Sequence, residues 1–345
     1  MKIRKRLIFA LVAGTVILST FSLYIYQMLY TPNVLVERDA KIVYVNDSTD
    51  FTTFLKKLFK DKVVEDPATF GFVAKAILDY DENMKPGRYL LTPDMTNLEA
   101  IRLLRSGAQE PVMITFNNVR FKEDLAGKIT NNIELDSAAF LEALNNDDLL
   151  NKYGFNDTTI LAMFIPNTYE VYWTISSEEL MDRMKTEYDR FWTDDKRAKA
   201  EKAGLTPIEV ATLAGIIQEE SNKPEEYSKI AGVYINRLKK GMLLQADPTL
   251  KFAAGDFSIK RVLNKHKEID SPYNTYMYAG LPPGPINCPE IASLNGVLNY
   301  QDHNYYYFVA RPDFSGYHDF STTLSQHLVK ARQYQNALNK AKIYE

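Results

Sequence analysis

Between Leu7 and Tyr30 the chain reads LIFALVAGTVILSTFSLYIYQMLY, and no charged residue follows Arg6 until Glu37. About 20 apolar residues span the hydrocarbon core of a bilayer, so this run is long enough for a transmembrane helix. Lys2, Arg4, Lys5 and Arg6 precede it. Such a basic cluster orients the short N-terminus toward the cytoplasm and the rest of the chain toward the outside. Tyr24, Tyr26 and Tyr30 then fall at the outer interface, where rings with polar tips are favoured. A cleaved signal peptide is the competing reading. Its apolar region is typically shorter and ends in a small-residue cleavage site, which favours a retained anchor here.

At 345 residues the chain exceeds what one core usually organises, and two or three domains are expected. Lys and Arg number 41 against 44 Asp and Glu, so the chain as a whole offers no basic field for nucleic acid. A neutral or weakly charged partner fits better. Cys288 is the single cysteine, which excludes an intramolecular disulfide. His266, His303, His318 and His327 show no spacing that sets two on one helical face, so a structural or catalytic zinc site is not expected.

After the anchor, KIVYV (41–45) has the β-branched and aromatic content of a strand, and 51–58 has helical spacing. KPGRYLL (85–91) reads as a turn and strand, followed by a helix that Thr96 opens. Glu99 completes its capping box and Gly107 supplies its stop. Residues 40–108 thus form a small α+β module. VMITF (112–116) is a strand, with helices at 121–129 and 137–144, and 109–160 reads as a connecting α+β segment. The patch Asn145-Asn-Asp-Asp148 marks a turn. Beyond residue 161 the segments lengthen into a larger mixed α+β domain, 161–345. Capping boxes at Ser176/Glu179 and Thr206/Glu209 start two helices, the second with Pro207 at its first position. Further helices are expected at 227–240, 290–298 and 324–342, with a hairpin formed by 305–310 and 317–321.

The helix opened by Thr206 ends in AGIIQEES (214–221). At 3.6 residues per turn Glu220 shares a face with Leu213, Ile216 and Ile217, whereas Glu219 shares its face with Thr212, Gly215 and Ile216. A carboxyl on the apolar stripe is disfavoured as an anion, as it is at a helix C-terminus, and so it can hold a proton near neutrality. A frayed last turn with both acids in water fits the same pattern. QADPT (245–249) places Gln245 and Asp247 at a polar loop entry, where Asp247 can orient a ligand or cap the next turn. The Pro/Gly-rich loop 271–289 carries Tyr273, Asn274 and Tyr276. These aromatics and amides suit sugar faces and hydroxyl or N-acetyl groups, and they suit a rigid connection equally well.

Taken together and in order, LAGIIQEES (213–221), VYINRLKKGMLLQADPT (233–249), YNTY (273–276), GLPPGPI (280–286), YYFVA (306–310) and His318, Phe320 and His327 resemble the MltG, or YceG-like, family of membrane-anchored endolytic murein transglycosylases. The similarity extends to the anchor, to IPNTY (165–169) and to the 85–107 module, which looks like that family's LysM-like subdomain. It departs at Gln218, where many relatives have Glu, and at Asn167, where Asp is common. The resemblance implies cleavage of the β-1,4 bond between N-acetylmuramic acid and N-acetylglucosamine, forming 1,6-anhydro ends and limiting strand length. It also implies Glu220 as catalytic acid, with Gln245, Asp247, Tyr273, Asn274 and Tyr276 positioning sugars, and it requires no metal or organic cofactor. The expected location is the bacterial cytoplasmic membrane, single-pass, with the catalytic domain on the outer face. Glycan strands are the expected partner and peptidoglycan synthases a candidate one. Two alternatives stay open at this level: a non-catalytic peptidoglycan-binding scaffold, and a hydrolase using Glu170 or Asp247 as second carboxylate.

Overall fold

The computed structural model describes residues 2–259 and 262–341. Met1 and residues 342–345, which end the expected cytoplasmic tail, C-terminal helix and catalytic domain, lie outside the described residues. The fold is α+β, with helices and four two-stranded sheets among the described residues. The chain forms two compact units: residues 1–113, 132–135 and 170–175 in the first, and 114–131, 136–169 and 176–345 in the second.

The first unit begins with the helix Lys2–Tyr30, long and apolar enough to cross a membrane. Its large apolar side chains, among them Leu7, Phe9, Leu18 and Phe21, lie exposed, so no protein packing accounts for them. Near the end of this helix the situation changes. Met28 is buried in the unit's core with Phe54, Leu58, Phe70, Tyr89, Ile101 and Leu104. Asn97, itself 1% exposed, donates to Met28 O at 2.9 Å and accepts from Asn33 Nδ2 at 2.7 Å. An unpaired buried amide costs about 1–3 kcal/mol, so this network fixes how the chain leaves the helix.

The strand Lys41–Val45 pairs antiparallel with Gly87–Leu91, in register from Lys41↔Leu91 to Val45↔Gly87. Helices Phe51–Lys60 and Asn97–Ser106 pack with this pair. Thr96 and Glu99 form the expected capping box, and Gly107 closes the helix at φ +77°, where a side chain would be strained. Spacing alone gave no sign of helix Pro67–Phe72 or of the wider turn Val73–Ile77 that follows it.

In the second unit, helix Pro207–Glu220 is the axis. Thr206 and Glu209 cap it reciprocally, at 3.3 and 2.7 Å. Every residue from Val210 to Ile217 is buried, as expected of a helix apolar on all sides. Helices Tyr227–Lys239, Asp247–Ala254 and Ile291–Leu298 pack around it. Close approach requires glycine: a Cβ on Gly215 would sit 2.7 Å from Asn287 Oδ1, and one on Gly232 2.3 Å from Gln301 O. The hairpin forms between Tyr307–Ala310 and His318–Ser321, and helix Leu324–Lys340 follows it.

Candidate active site

The axial helix stops at Glu220 because Ser221 turns extended, at φ −142° and ψ 138°. Ser221 Oγ then accepts from Lys223 N at 3.1 Å, and the chain leaves in a new direction. The last turn is therefore held, not frayed, and its two acids have separate surroundings. Glu219 takes Arg120 Nη2 at 2.9 Å and Asn287 Nδ2 at 3.1 Å, a half-exposed ion pair on one side of the helix. Glu220 opens on a cavity of about 270 Å³ lined also by Tyr234, Arg237, Gln245, Asp247, Tyr276 and Tyr307.

Tyr234 Oη donates to Glu220 Oε1 at 2.6 Å. The glutamate keeps some surface toward the cavity, yet protein atoms crowd its carboxyl. Burial is the main cause that raises that carboxyl, which with its neighbours' effects included stands at about 7. Within that balance the Tyr234 bond and the charges of Arg237 and Lys251 oppose burial, and the Asp247 charge adds to it. Burial, with the Glu220 charge and hydrogen bond, drives the Tyr234 phenol well above its ordinary value, so it remains a donor. Across the cavity Tyr276 Oη donates to Asp247 Oδ1 at 2.5 Å. Each carboxyl thus has one phenol.

The remaining walls are fixed by hydrogen bonds of the backbone and of threonine hydroxyls. Gln245 adopts φ +51°, an uncommon conformation for a residue with a Cβ. Its N–H donates to Thr275 O at 3.0 Å, and Ala246 N–H donates to Thr275 Oγ1 at 3.0 Å. Thr249 Oγ1 meets Thr275 Oγ1 at 2.8 Å. The QADPT and YNTY segments are therefore joined through Thr275, and Asp247 starts helix Asp247–Ala254 as its first residue. Opposite, the hairpin brings Phe308 edge-on to Tyr234, centroids 5.7 Å apart. Glu226 clips that hairpin, accepting from His318 N at 3.0 Å and meeting His318 Nδ1 at 2.8 Å.

Of the residues expected at the site, Glu220, Gln245, Asp247 and Tyr276 line one cavity. Asn274 and Tyr273 are not among its lining residues. Asn274 is fully buried and donates to Lys267 O at 3.0 Å and Ile269 O at 2.7 Å, while its Oδ1 accepts from Tyr276 N at 3.0 Å. Its amide holds the loop, both N–H groups are spent, and burial closes the side chain to a ligand. Tyr273 packs on Phe252, ring centroids 4.7 Å apart. Gln218 Oε1 accepts from Glu290 N and Ser293 Oγ, at 2.8 and 3.0 Å, and so caps a neighbouring helix. Asn167 borders a different cavity with Thr115 and Glu290. Tyr234, Arg237, Tyr307 and His327 line the cavity too; each lies in or among the motifs that carry the family resemblance, but the sequence assigns none of them a role at the site. The i, i+3 spacing of Tyr234 and Arg237 sets both on one helical face, the only local signal available.

The YceG-like family profile matches residues 43–333. This chain belongs to the YceG-like family. A Bacillus subtilis (strain 168) protein named endolytic murein transglycosylase is 28% identical over 323 residues, covering 88% of this chain and 88% of its own length. A Streptococcus pneumoniae (serotype 2, strain D39) protein of the same name is 26% identical over 283 residues, 73% of this chain and 51% of its own. The YceG-like chain described here therefore spans about half of that longer relative. The crystal structure of a yceG-like protein from Listeria monocytogenes aligns with a TM-score of 0.53 at 26% identity, covering 84% of this chain and 99% of that one.

Proposed function

We propose that this YceG-like chain is an endolytic murein transglycosylase in which Glu220 acts first as acid and then as base. The observation that carries this reading is a carboxyl pushed up to about 7 at the end of a buried helix, facing a polar cavity and held by one phenol. A general acid works best when its pKa lies near the working pH. Glu220 gives its proton to the glycosidic oxygen leaving C1 of N-acetylmuramic acid, and the C1–O bond breaks. The same sugar's C6 hydroxyl closes on C1 and passes its proton to the Glu220 carboxylate. The product is a 1,6-anhydro end, no water is consumed, and the carboxyl returns to its starting state. Gln245, Asp247 and Tyr276 position the sugar, and the Asp247 carboxylate faces the positive charge that develops at C1. Ordinary glycosidases need two carboxyl groups with separate tasks. An intramolecular nucleophile lets one suffice.

The same reading divides the chain into an anchor at 7–30, a LysM-like glycan-binding module at 40–108 and a catalytic domain from 161. It sets the cavity on the outer face of the cytoplasmic membrane, beside strands as synthases extrude them. Asp247 in the cavity also favours a second reading, hydrolysis with two carboxylates, whereas Glu170 lies exposed on its strand. Mass spectrometry of digested, uncrosslinked glycan separates the two. Anhydro ends that vanish in Glu220→Gln support transglycosylation, and reducing ends overturn it.

A further inference from the structure

Arg237 is 8% exposed, and among the described residues it makes no ion pair. Its Nε donates to Tyr306 O at 2.6 Å, and Nη1 donates to Leu244 O at 2.7 Å and Leu243 O at 3.4 Å. Among the described residues Nη2 has no hydrogen-bond partner. The guanidinium lies 5.2 Å from the Tyr307 ring centre, and the His327 ring stacks on that tyrosine, centroids 5.4 Å apart and planes within 23°. His327 Nδ1 is buried and lacks a partner among the described residues. All three side chains line the Glu220 cavity.

A guanidinium taken out of water without a counter-ion costs several kcal/mol, and neutral carbonyls recover only part of that. Neither cavity carboxylate closes on it: Glu220 is bonded to Tyr234 and Asp247 to Tyr276. Three carbonyls do lock the fork in place, which a purely structural clip would also do. Two features exceed a clip: an open nitrogen on a fixed guanidinium, a charged donor suited to a carboxylate oxygen, and an unpaired ring nitrogen of His327, which lines the same cavity.

We infer that Arg237, Tyr307 and His327 form a carboxylate subsite beside Glu220. The subsite rests on the glycan-cleaving reading of the cavity, and it narrows the substrate to one carrying an anionic group near the scissile bond. Muramic acid has a lactyl carboxyl on O3, free when no peptide is attached and an uncharged amide when one is. Attached peptides bring carboxylates of their own. The shared chemistry is a carboxylate, from the sugar or from its peptide.

The test is calorimetric titration of the full-length Glu220→Gln chain in detergent with three muramyl oligosaccharides: free lactyl carboxylates, lactyl methylamides, and lactyl-linked peptides. One carboxylate form should bind about tenfold or more tightly than the methylamide, and which one does so names the source. Adding Arg237→Gln should abolish that difference. Equal affinities, no binding by any of the three, or a preference that survives Arg237→Gln overturns the subsite. If the double variant does not fold, the three-ligand comparison repeated at about 0.5 M salt decides, because a charge-based preference must shrink. Product analysis of the wild-type chain keeps the two readings apart. Anhydro ends with equal affinities sink the subsite alone, and a tenfold preference without anhydro ends sinks the transglycosylase reading alone.

Discussion

Tyr234→Phe isolates the hydroxyl that holds the proposed acid. The phenylalanine ring can keep the edge-on contact with Phe308, so the change removes little besides the 2.6 Å bond to Glu220 Oε1. That bond favours the carboxylate and opposes the burial that raises Glu220, which stands at about 7. Without it the acid must hold its proton to higher pH. A hydrogen bond to a charged group is worth about 1.5–3 kcal/mol, and 1.36 kcal/mol corresponds to one pH unit. The phenol also bonds the neutral acid, more weakly, which takes the expected displacement to the lower end, about one pH unit. The assay is kcat/KM against pH on uncrosslinked glycan, counting anhydro ends, since this parameter reports the free enzyme. Wild-type activity should be full below neutrality and fall as pH rises through about 7. In Tyr234→Phe the fall should come about one unit later, whatever the loss on the acidic plateau. Asp247→Asn should move it the opposite way, because the Asp247 charge pushes Glu220 up. A limb that stays in place in both variants, or moves down in Tyr234→Phe, refutes Glu220 as the titrating acid.

Three further expectations come from the same geometry. Between pH 4.5 and about 7 the folded state retains a proton on Glu220 that the unfolded chain has lost, so the acid's contribution is fully present below 4.5 and is lost as pH rises. Glu220→Gln should therefore melt with the wild type at pH 4 and exceed it by about 3 kcal/mol at pH 8; an equal offset at both pH values would show that the carboxyl is not buried. Asn274→Ala should destabilise the second unit by about 1–3 kcal/mol by unpairing Lys267 O and Ile269 O, read by thermal unfolding. A raised KM at unchanged stability would return Asn274 to the substrate. Gly284→Ala puts a Cβ 1.9 Å from Thr158 O and should cost about 1–3 kcal/mol or more in chemical denaturation; an unchanged midpoint would mean that the GLPPGPI loop is not packed as described.

Much of this was legible where local chemistry decides. Capping boxes at Thr96, Ser176 and Thr206 predict three helix starts, and all three form. The two strand-like runs 305–310 and 317–321, flanking a turn-prone segment, predict the hairpin, and the face shared by Glu220 and Leu213 predicts which acid meets the interior. Helix Asp194–Ala203 was not legible, because DDKRAKAEKA has no apolar stripe and buries only Ala200 and Ala203. The site failed where tertiary partners decide. Asn274 has the chemistry of a sugar ligand, and only the fold shows its amide spent on Lys267 and Ile269. Tyr307 and His327 enter the cavity from the hairpin and from the helix after it, a conjunction that no spacing encodes.

Two adjacent glutamates at one helix end would ordinarily repel and share whatever cations lie near. Here the hundred-degree step between successive residues separates them completely. Glu219 is paid its counter-charge by Arg120, and the guanidinium stacks over Phe257 at 4.0 Å from the ring centre. With Arg120 committed there, no cation among the described residues closes on Glu220 within hydrogen-bond distance, and its one direct side-chain partner among them is a neutral phenol. That asymmetry is what the acid-then-base role proposed for Glu220 needs. A bound cation would hold Glu220 ionised and unable to protonate a leaving oxygen, and full burial without Tyr234 would hold it neutral and unable to take the C6 proton back. A buried carboxyl with one uncharged donor sits between these limits, near 7, where both halves of the cycle are open to it.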